Sequence, residues 1–482
     1  MESPDLNDTI AAISTPLGRG GIGIIRLNGK GALSIADKIF VSKDKNKPST
    51  YKTYSVHYGW IVSSRQLNKK YRRQKTGDRR RNVIDEVLLT VMRAPRSYTK
   101  EDIVEISCHS GIVVLKEILD LVLSFGARLA QGGEFTKRAF LNGRIDLSRA
   151  EAVLDIINAK TALSLQSSVK QLSGELSDEI NKLREKLLEI IALLEANIDF
   201  PEEEIGDAAK GAVLRPRGIN KIINEALAKI DVLLSSAKHG KVLREGISVA
   251  ILGKANAGKS SLLNALLKEE RAIVTPIAGT TRDAIEEILD LKGIPLKIAD
   301  TAGIIEPKDL IEKEALARTQ IYFEKANLVL LVFDSSLHLS KEDRQLIEKS
   351  KSKTVIAVLN KSDLKQRIDE AKIRKYVPCV VKISCRRQEG LKELEEKIIQ
   401  AVWEGKLGIC DEVIVTSARH IQALKNGQVA LERAKGSLER NLSIEFIAED
   451  LKICRSHLSE IAGETVEEDI LEKIFSEFCI GK

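Results

Sequence analysis

The sequence predicts a multidomain protein: an α+β N-terminal domain, then a discontinuous all-α helical domain interrupted by an inserted α/β domain. Three observations predict it. Residues 1–143 mix short apolar runs with turns. Residues 144–243 and 406–482 carry long helical periodicity. Residues 244–405 alternate short, continuously apolar runs with helical patterns, as a doubly wound parallel sheet requires.

Each element follows from a local pattern. In the first segment Gly20–Leu27 and Val83–Val91 read as strands, and Ile112–Phe125 reads as a helix ended by Gly126. Leu183, Leu187, Ile190, Ile191 and Leu194 recur at helical spacing, and Asp199-Phe200-Pro201-Glu202-Glu203-Glu204 breaks the pattern. Between 244 and 405 the apolar runs Ile247–Leu252, Leu296–Ala299, Leu328–Phe333, Val355–Leu359 and Val380–Ile383 read as buried parallel strands.

Composition bounds the classes. The chain has 482 residues, 43% of them hydrophobic and only 4% aromatic, so several helix-rich domains can bury cores. No run approaches the roughly 18 apolar residues of a membrane span. The acidic first nine residues lack a basic segment followed by an apolar one, so no targeting peptide is expected. Cys108, Cys379, Cys385, Cys410, Cys454 and Cys479 show no CxxC spacing, which argues against a zinc site or a disulfide framework. A soluble, reduced, cytoplasmic protein without a membrane partner is expected. The net charge of +7 is local: residues 63–82 carry +8 alone, leaving the remainder at −1. Such a run is either a solvated loop or an arm that meets phosphates.

The motifs give the inserted domain its chemistry. Gly253-Lys254-Ala255-Asn256-Ala257-Gly258-Lys259-Ser260 fits GxxxxGK[ST], follows a strand, and opens a helix with Ser261. Backbone amides of such a turn surround phosphates, a lysine adds charge at the outer phosphates, and Ser260 offers an oxygen to Mg²⁺. Asp300-Thr301-Ala302-Gly303 ends a strand, where the Asp can hold Mg²⁺ through water and the Gly amide can sense a γ-phosphate. Asn360-Lys361-Ser362-Asp363 ends another. The Asp363 carboxylate can accept from guanine N1–H and its 2-amino group, a donor pair adenine lacks. Ser384-Cys385-Arg386 can offer an amide to guanine O6. Thr275-Pro276-Ile277-Ala278-Gly279-Thr280-Thr281 lies between the first two motifs, and Thr281 can complete Mg²⁺ coordination when a γ-phosphate is present. Ile304 and Ile305 stand where many such enzymes carry a water-orienting Gln. The inserted domain is thus expected to be a P-loop GTPase domain.

Two further blocks carry a family resemblance. One joins Asp8-Thr9-Ile10-Ala11-Ala12 and Gly18–Arg26 with Gly133-Glu134-Phe135-Thr136-Lys137-Arg138-Ala139-Phe140-Leu141-Asn142-Gly143-Arg144-Ile145-Asp146-Leu147; the other is Phe478-Cys479-Ile480-Gly481-Lys482. With Asp199–Glu204 and the nucleotide motifs, the chain resembles the MnmE family of tRNA modification GTPases over nearly its whole length.

The resemblance implies a dimerising, tetrahydrofolate-binding N-terminal domain, a homodimer, and an FAD-dependent partner, MnmG, in a heterotetramer. The implied reaction adds a (carboxymethyl)aminomethyl group at C5 of a tRNA wobble uridine, with a 5-formyl or methylene folate as donor. Arg26, Glu105, Arg144 and Lys482 match folate-site positions. Asn256, Thr275, Ile277 and Thr280 match a K⁺ site, Glu312 matches a residue that orients water, and Cys479 matches a Cys important for the modification. The basic run is longer than the family's usual connection, and Arg144 stands where Lys is common, which keeps the charge but changes its geometry. By residue type alone, Arg26 and Arg144 also read as surface or salt-bridged arginines, Glu312 as an exposed helix carboxylate, and Cys479 as a small buried hydrophobe. The nucleotide motifs alone also fit a ribosome-assembly GTPase switch, though no GXXG-bearing RNA-binding module follows residue 403.

Overall fold

The computed structural model describes residues 8–63, 83–199, 216–269, 286–299, 320–403 and 413–482. Most of the basic run (64–82) and the break after Asp199 (200–204) lie outside these. The chain forms two compact units, residues 1–154 with 459–482, and residues 155–458.

The first unit is built on a seven-stranded sheet of order β3-β4-β5-β6-β2-β1-β7. Its strands are β1 (Ile10–Ile13), β2 (Gly23–Asn28), β3 (Phe40–Ser42), β4 (Ser55–Val62), β5 (Val83–Met92), β6 (Ile103–Cys108) and β7 (Arg128–Leu129). Helices α1 (Ala32–Ile39) and α2 (Ile112–Ser124) bury Ile35, Ala36, Ile39, Leu115, Ile118 and Val122 in one core with Ile25, Leu27, Leu89 and Ile106 of the sheet. That is the amphipathic stripe and the period-2 alternation that the sequence shows. Strand β2 starts at Gly23, not Gly20. Gly18–Ile22 instead form an irregular loop, whose Gly18 carbonyl accepts from the Ser110 hydroxyl at 3.1 Å. A third helix, α3 (Glu134–Leu141), shares a smaller core with Ile145, Phe475 and Phe478 through Ala139.

The second unit opens with the helices α4 (Leu147–Asn158, shared across the boundary), α5 (Ala162–Ser173), α6 (Glu175–Asp199) and α7 (Pro216–Glu245). Then comes the α/β domain: β8 (Ile247–Gly253), α8 (Lys259–Glu269), β9 (Glu286–Leu291), β10 (Ile294–Ala299), β11 (Leu328–Asp334), α9 (Lys341–Lys349), β12 (Thr354–Asn360), α10 (Glu370–Arg374), β13 (Val380–Lys382) and α11 (Leu391–Val402). The sheet order is β13-β12-β11-β8-β10-β9. Leu328, Leu330 and Val332 enter one core while Val329, Leu331 and Phe333 enter the other. Burial on both faces is why these strands read as unbroken apolar runs. All pairings are parallel except β9 with β10. The sequence pattern gave no strand at β9, because this edge strand carries Glu286, Glu287 and Asp290 among its apolar residues. After the insertion α12 (Ala418–Glu439) packs along α7, joining the two halves of the helical domain, and α13 (Ile444–Ala462) follows.

Candidate functional site

The carboxyl ends of β8 and β12 frame a cleft of about 700 Å³, within the range of small-ligand sites. Asn256, Gly258, Lys259, Ser260, Ser261, Asn360, Lys361, Asp363, Cys385 and Arg386 line it, so the first, third and fourth motifs meet in one place. Ala257 is buried beneath them, 3% exposed. Asn264, Lys268 and Gln388 line it as well. Helical spacing from Ser260 along α8 was the signal that could have found the first two.

The loop geometry has local causes. Asn256 sits at φ +63°, in the left-handed region that Asn tolerates better than most residues. Gly258 is at φ +98°, and a Cβ there would lie 2.1 Å from Asn360 Nδ2, so glycine is required. Asn360 holds the neighbouring loops together: its Nδ2 donates to the Ala257 carbonyl at 3.1 Å and its Oδ1 accepts from the amides of Lys361 at 2.8 Å and Cys385 at 3.3 Å. Lys361 Nζ donates to the Asn256 carbonyl at 2.9 Å and pairs with Asp334. Lys254 pairs with Glu342 at 2.9 Å, tying the loop to the first turn of α9. Lys259 Nζ donates to the carbonyls of Gly253 and Lys254 at 3.0 and 2.9 Å.

At the Asp363 end of the cleft, the Ser384 hydroxyl donates to Asp363 Oδ1 at 2.7 Å. That hydrogen bond, aided by Arg387 and Arg386, holds the Asp363 carboxyl below its ordinary range. Burial pushes the Cys385 thiol up to about 11, so it is neutral and serves as a small apolar wall. Ser260 is exposed at the helix start and can present its hydroxyl to a cation. Thr275, Pro276, Ile277, Ala278, Gly279, Thr280, Thr281, Asp300, Thr301, Ala302, Gly303 and Glu312 lie outside the described residues.

A second group forms in the first unit. Arg26 on β2 stands opposite Glu105 on β6, and its Nε donates to Glu105 Oε1 at 2.7 Å. The last residues of the sequence lie against it. Arg26 Nη1 donates to the Gly481 carbonyl at 3.0 Å, the Phe135 amide donates to the Lys482 carbonyl at 3.1 Å, and Ile480 bridges Gly132. The Arg26 guanidinium lies 5.5 Å from the Phe135 ring centroid, and that of Arg144 lies 4.9 Å from the Tyr98 centroid. The Tyr98 hydroxyl is 3.0 Å from Thr136 Oγ1, and burial pushes its pKa above the ordinary value. Arg26 and Glu105 are therefore in contact, Lys482 adjoins them through Gly481, and Arg144 and Arg26 both lie within electrostatic reach of Tyr98. Cys479 is exposed beside them, not a buried hydrophobe, because its carbonyl rather than its side chain faces the Gly133 amide. Phe135, Thr136 and Tyr98 were missed. The first two lie inside a block already quoted for its family pattern, but Tyr98 sits in an irregular segment without periodicity.

Among the described residues no cluster of three metal-ligating side chains occurs, and no described helix is long and apolar enough to cross a membrane. Residues 9–144 match the model of the GTP-binding protein TrmE N-terminus, and residues 147–479 match that of the MnmE helical domain. A tRNA modification GTPase MnmE of Clostridioides difficile (strain 630) is 46% identical over 99% of this chain and 100% of its own. One from Alkaliphilus oremlandii (strain OhILAs) is 43% identical over the same shares. Among solved structures, the G domain of the T. maritima FeoB iron transporter is 30% identical with a TM-score of 0.26, covering 32% of this chain and 98% of that one.

Proposed function

This chain belongs to the MnmE family of tRNA modification GTPases, and from that premise we propose that its GTP hydrolysis serves a folate-dependent modification of the tRNA wobble uridine. The proposed product carries a (carboxymethyl)aminomethyl group at C5. The proposed assembly is a homodimer of this chain with the FAD-dependent partner MnmG, a heterotetramer acting in the cytoplasm.

The observation that carries the folate reading is the docking of Gly481 and Lys482 against Arg26 and Phe135. It brings Lys482, next to Gly481 in sequence, to the Arg26–Glu105 pair, while Arg144 lies over the Tyr98 ring. This donor set suits a tetrahydrofolate in its 5-formyl or methylene form. Arg26, Arg144 and Lys482 face its carboxylates or polar ring edge, and Glu105 accepts from pterin N–H groups. Cys479, exposed beside the group, is assigned to the modification. The folate supplies the one-carbon unit when bound.

In the nucleotide cleft, Asn256 to Ser261 are assigned to the phosphates, together with residues 275–281 and Asp300 to Gly303, and Asn360, Lys361, Asp363, Ser384, Cys385 and Arg386 are assigned to the base. Ser260 and Thr281 would hold Mg²⁺, and Asn256, Thr275, Ile277 and Thr280 would hold K⁺. These ions supply positive charge at the β- and γ-phosphates. Since Ile304 follows Gly303, Glu312 is assigned to orient the attacking water, at a distance and through a bridging water. Two GTPase domains meeting face to face would close the loop around the ion.

Mass analysis of wobble uridines in cells lacking this chain tests the whole reading, which fails if the modified uridine persists. Steady-state hydrolysis tests the site. K⁺ should accelerate turnover over Na⁺, Asn256→Ala should remove that response, and Glu312→Ala should slow turnover by about 10²-fold, roughly 2.7 kcal/mol of barrier. Equal rates in the two ions together with wild-type turnover of Glu312→Ala reject this assignment.

A further inference from the structure

Among the described residues, the α/β domain is tied to the helical domain at three places within the second unit, and the ties converge. At the first, the turn between β9 and β10 meets the start of α5. The Thr161 hydroxyl donates to the Gly293 carbonyl at 2.7 Å while accepting from the Ser164 amide at 3.1 Å as the helix N-cap. Gly293 is at φ +93°, and a Cβ there would lie 2.9 Å from the Leu163 Cβ, so the turn sits directly on the helix. At the second, the segment leaving the domain crosses α7. The Val415 amide donates to Ser236 Oγ at 3.1 Å, and a Cβ on Gly240 would stand 2.0 Å from the Val415 carbonyl oxygen. At the third, buried Asp155 holds both chain connections: Arg244, just before the domain, pairs with Oδ1 at 2.9 Å, and the Thr416 hydroxyl, just after it, lies 3.3 Å from Oδ2. The same hydroxyl lies 3.1 Å from Gln171 Oε1 near the far end of α5.

Helix α5 therefore has one end on the β9–β10 turn and the other on the exit segment, about 15 Å apart at 1.5 Å per residue. In sequence β9 follows residues 275–281 and β10 precedes Asp300, so the hairpin of this turn is flanked in sequence by the two segments assigned to sense a γ-phosphate. A cavity of about 20 Å³, bounded by Leu163, Lys170, Gln171 and Ile414, leaves room beneath the exit segment for a small shift. A short helix with packed ends moves as a body, because its own hydrogen bonds resist stretching.

We propose that α5, with Asp155, transmits the nucleotide state from the β9–β10 turn to Thr416 and so to the start of α12. Thr161 and Thr416 are positioning residues, neither touching nucleotide. The proposal rests on GTP binding in the cleft and not on the folate assignment.

Hydrogen–deuterium exchange on the full chain, saturated with GDP or with a non-hydrolysable GTP analogue, tests it; nucleotide affinity is measured in parallel. The unaltered protein should show a nucleotide-dependent difference at residues 413–421. Thr161→Val should keep nucleotide affinity and the difference at residues 253–262 but lose that at 413–421, and Thr161→Ser should restore it. Thr416→Val probes the far end independently of the helix cap. It should lose the difference at 418–421 and keep it at 286–299. The proposal is overturned if the unaltered protein binds both nucleotides without a difference at 413–421. It is equally overturned if Thr161→Val melts at a lower temperature yet retains that difference, or if Thr161→Ser fails to restore it. Absence of GTP binding would instead refute the nucleotide reading itself.

Discussion

At the scale of single residues, charge placement decides both selectivity and stability. Asp363 can discriminate guanine only while ionised and held in place, and the Ser384 hydroxyl does both, at 2.7 Å. Asp363→Asn should weaken GTP binding by roughly tenfold or more and move preference toward xanthine nucleotides, whose 2-oxo group accepts from the new amide. Competition binding reads this directly, and equal affinity of the unaltered protein for ATP and GTP would contradict the assignment. In the other unit, Arg138 is 1% exposed and faces Asp8, Glu134 and Glu101. Arg138→Met would leave these carboxylates short of a cation, at a cost of roughly 3–5 kcal/mol in denaturant unfolding. Burial alone would push Asp8 and Glu134 up, but Arg128 and Arg138, with the Gln131 amide on Glu134, hold them below 3.8 and 4.5. Their folded values lie below the unfolded ones, so the stabilisation is complete above about pH 5 and fades as pH falls through the folded values. A midpoint that instead declined between about pH 7 and 5 would place the sensitive group elsewhere.

Among elements, the segment 478–482 depends most on contacts remote in sequence. It is held by backbone bonds to Gly132, Gly133 and Phe135 and by Arg26. A Cβ on Gly481 would lie 2.8 Å from the Ile13 carbonyl oxygen, so the residue must remain glycine. Removing Ile480 to Lys482 should weaken tetrahydrofolate binding in calorimetry while GTP turnover stays close to normal; unchanged folate affinity would detach this segment from the site. Contacts of this kind explain which parts were legible in the sequence. Strands β8, β11 and β12 announce themselves because both faces are buried, and the phosphate loop because its residues are consecutive. Strand β9 does not, since an edge strand tolerates charge on its open side. Nor do the links from Lys361 to Asn256 and from Asn360 to Ala257, which join residues more than a hundred positions apart and have no local periodicity to betray them. Tyr98 escapes for the same reason: its role depends on Arg144 and Thr136, which arrive from another element.

For the whole molecule, the division into residues 1–154 with 459–482 and residues 155–458 has a thermodynamic consequence. The nucleotide cleft belongs wholly to the second unit, and the Arg26–Glu105–Arg144–Lys482 group wholly to the first. A ligand stabilises whatever must unfold to release it, by about 2.7 kcal/mol at a hundred times its dissociation constant. For domains of this size that raises a midpoint by several degrees, since 1 kcal/mol is worth about 2–4 °C. The two units have separate cores, the first around Ile25, Leu89 and Ile106, the second around Leu330, Val332 and Val358. Calorimetry should therefore resolve two transitions. GTP with Mg²⁺ should raise one of them and tetrahydrofolate the other. Limited proteolysis at each transition, read by mass spectrometry, would assign them to residues. If both ligands raised the same transition, the assignment of the two sites to separate cooperative units would be wrong.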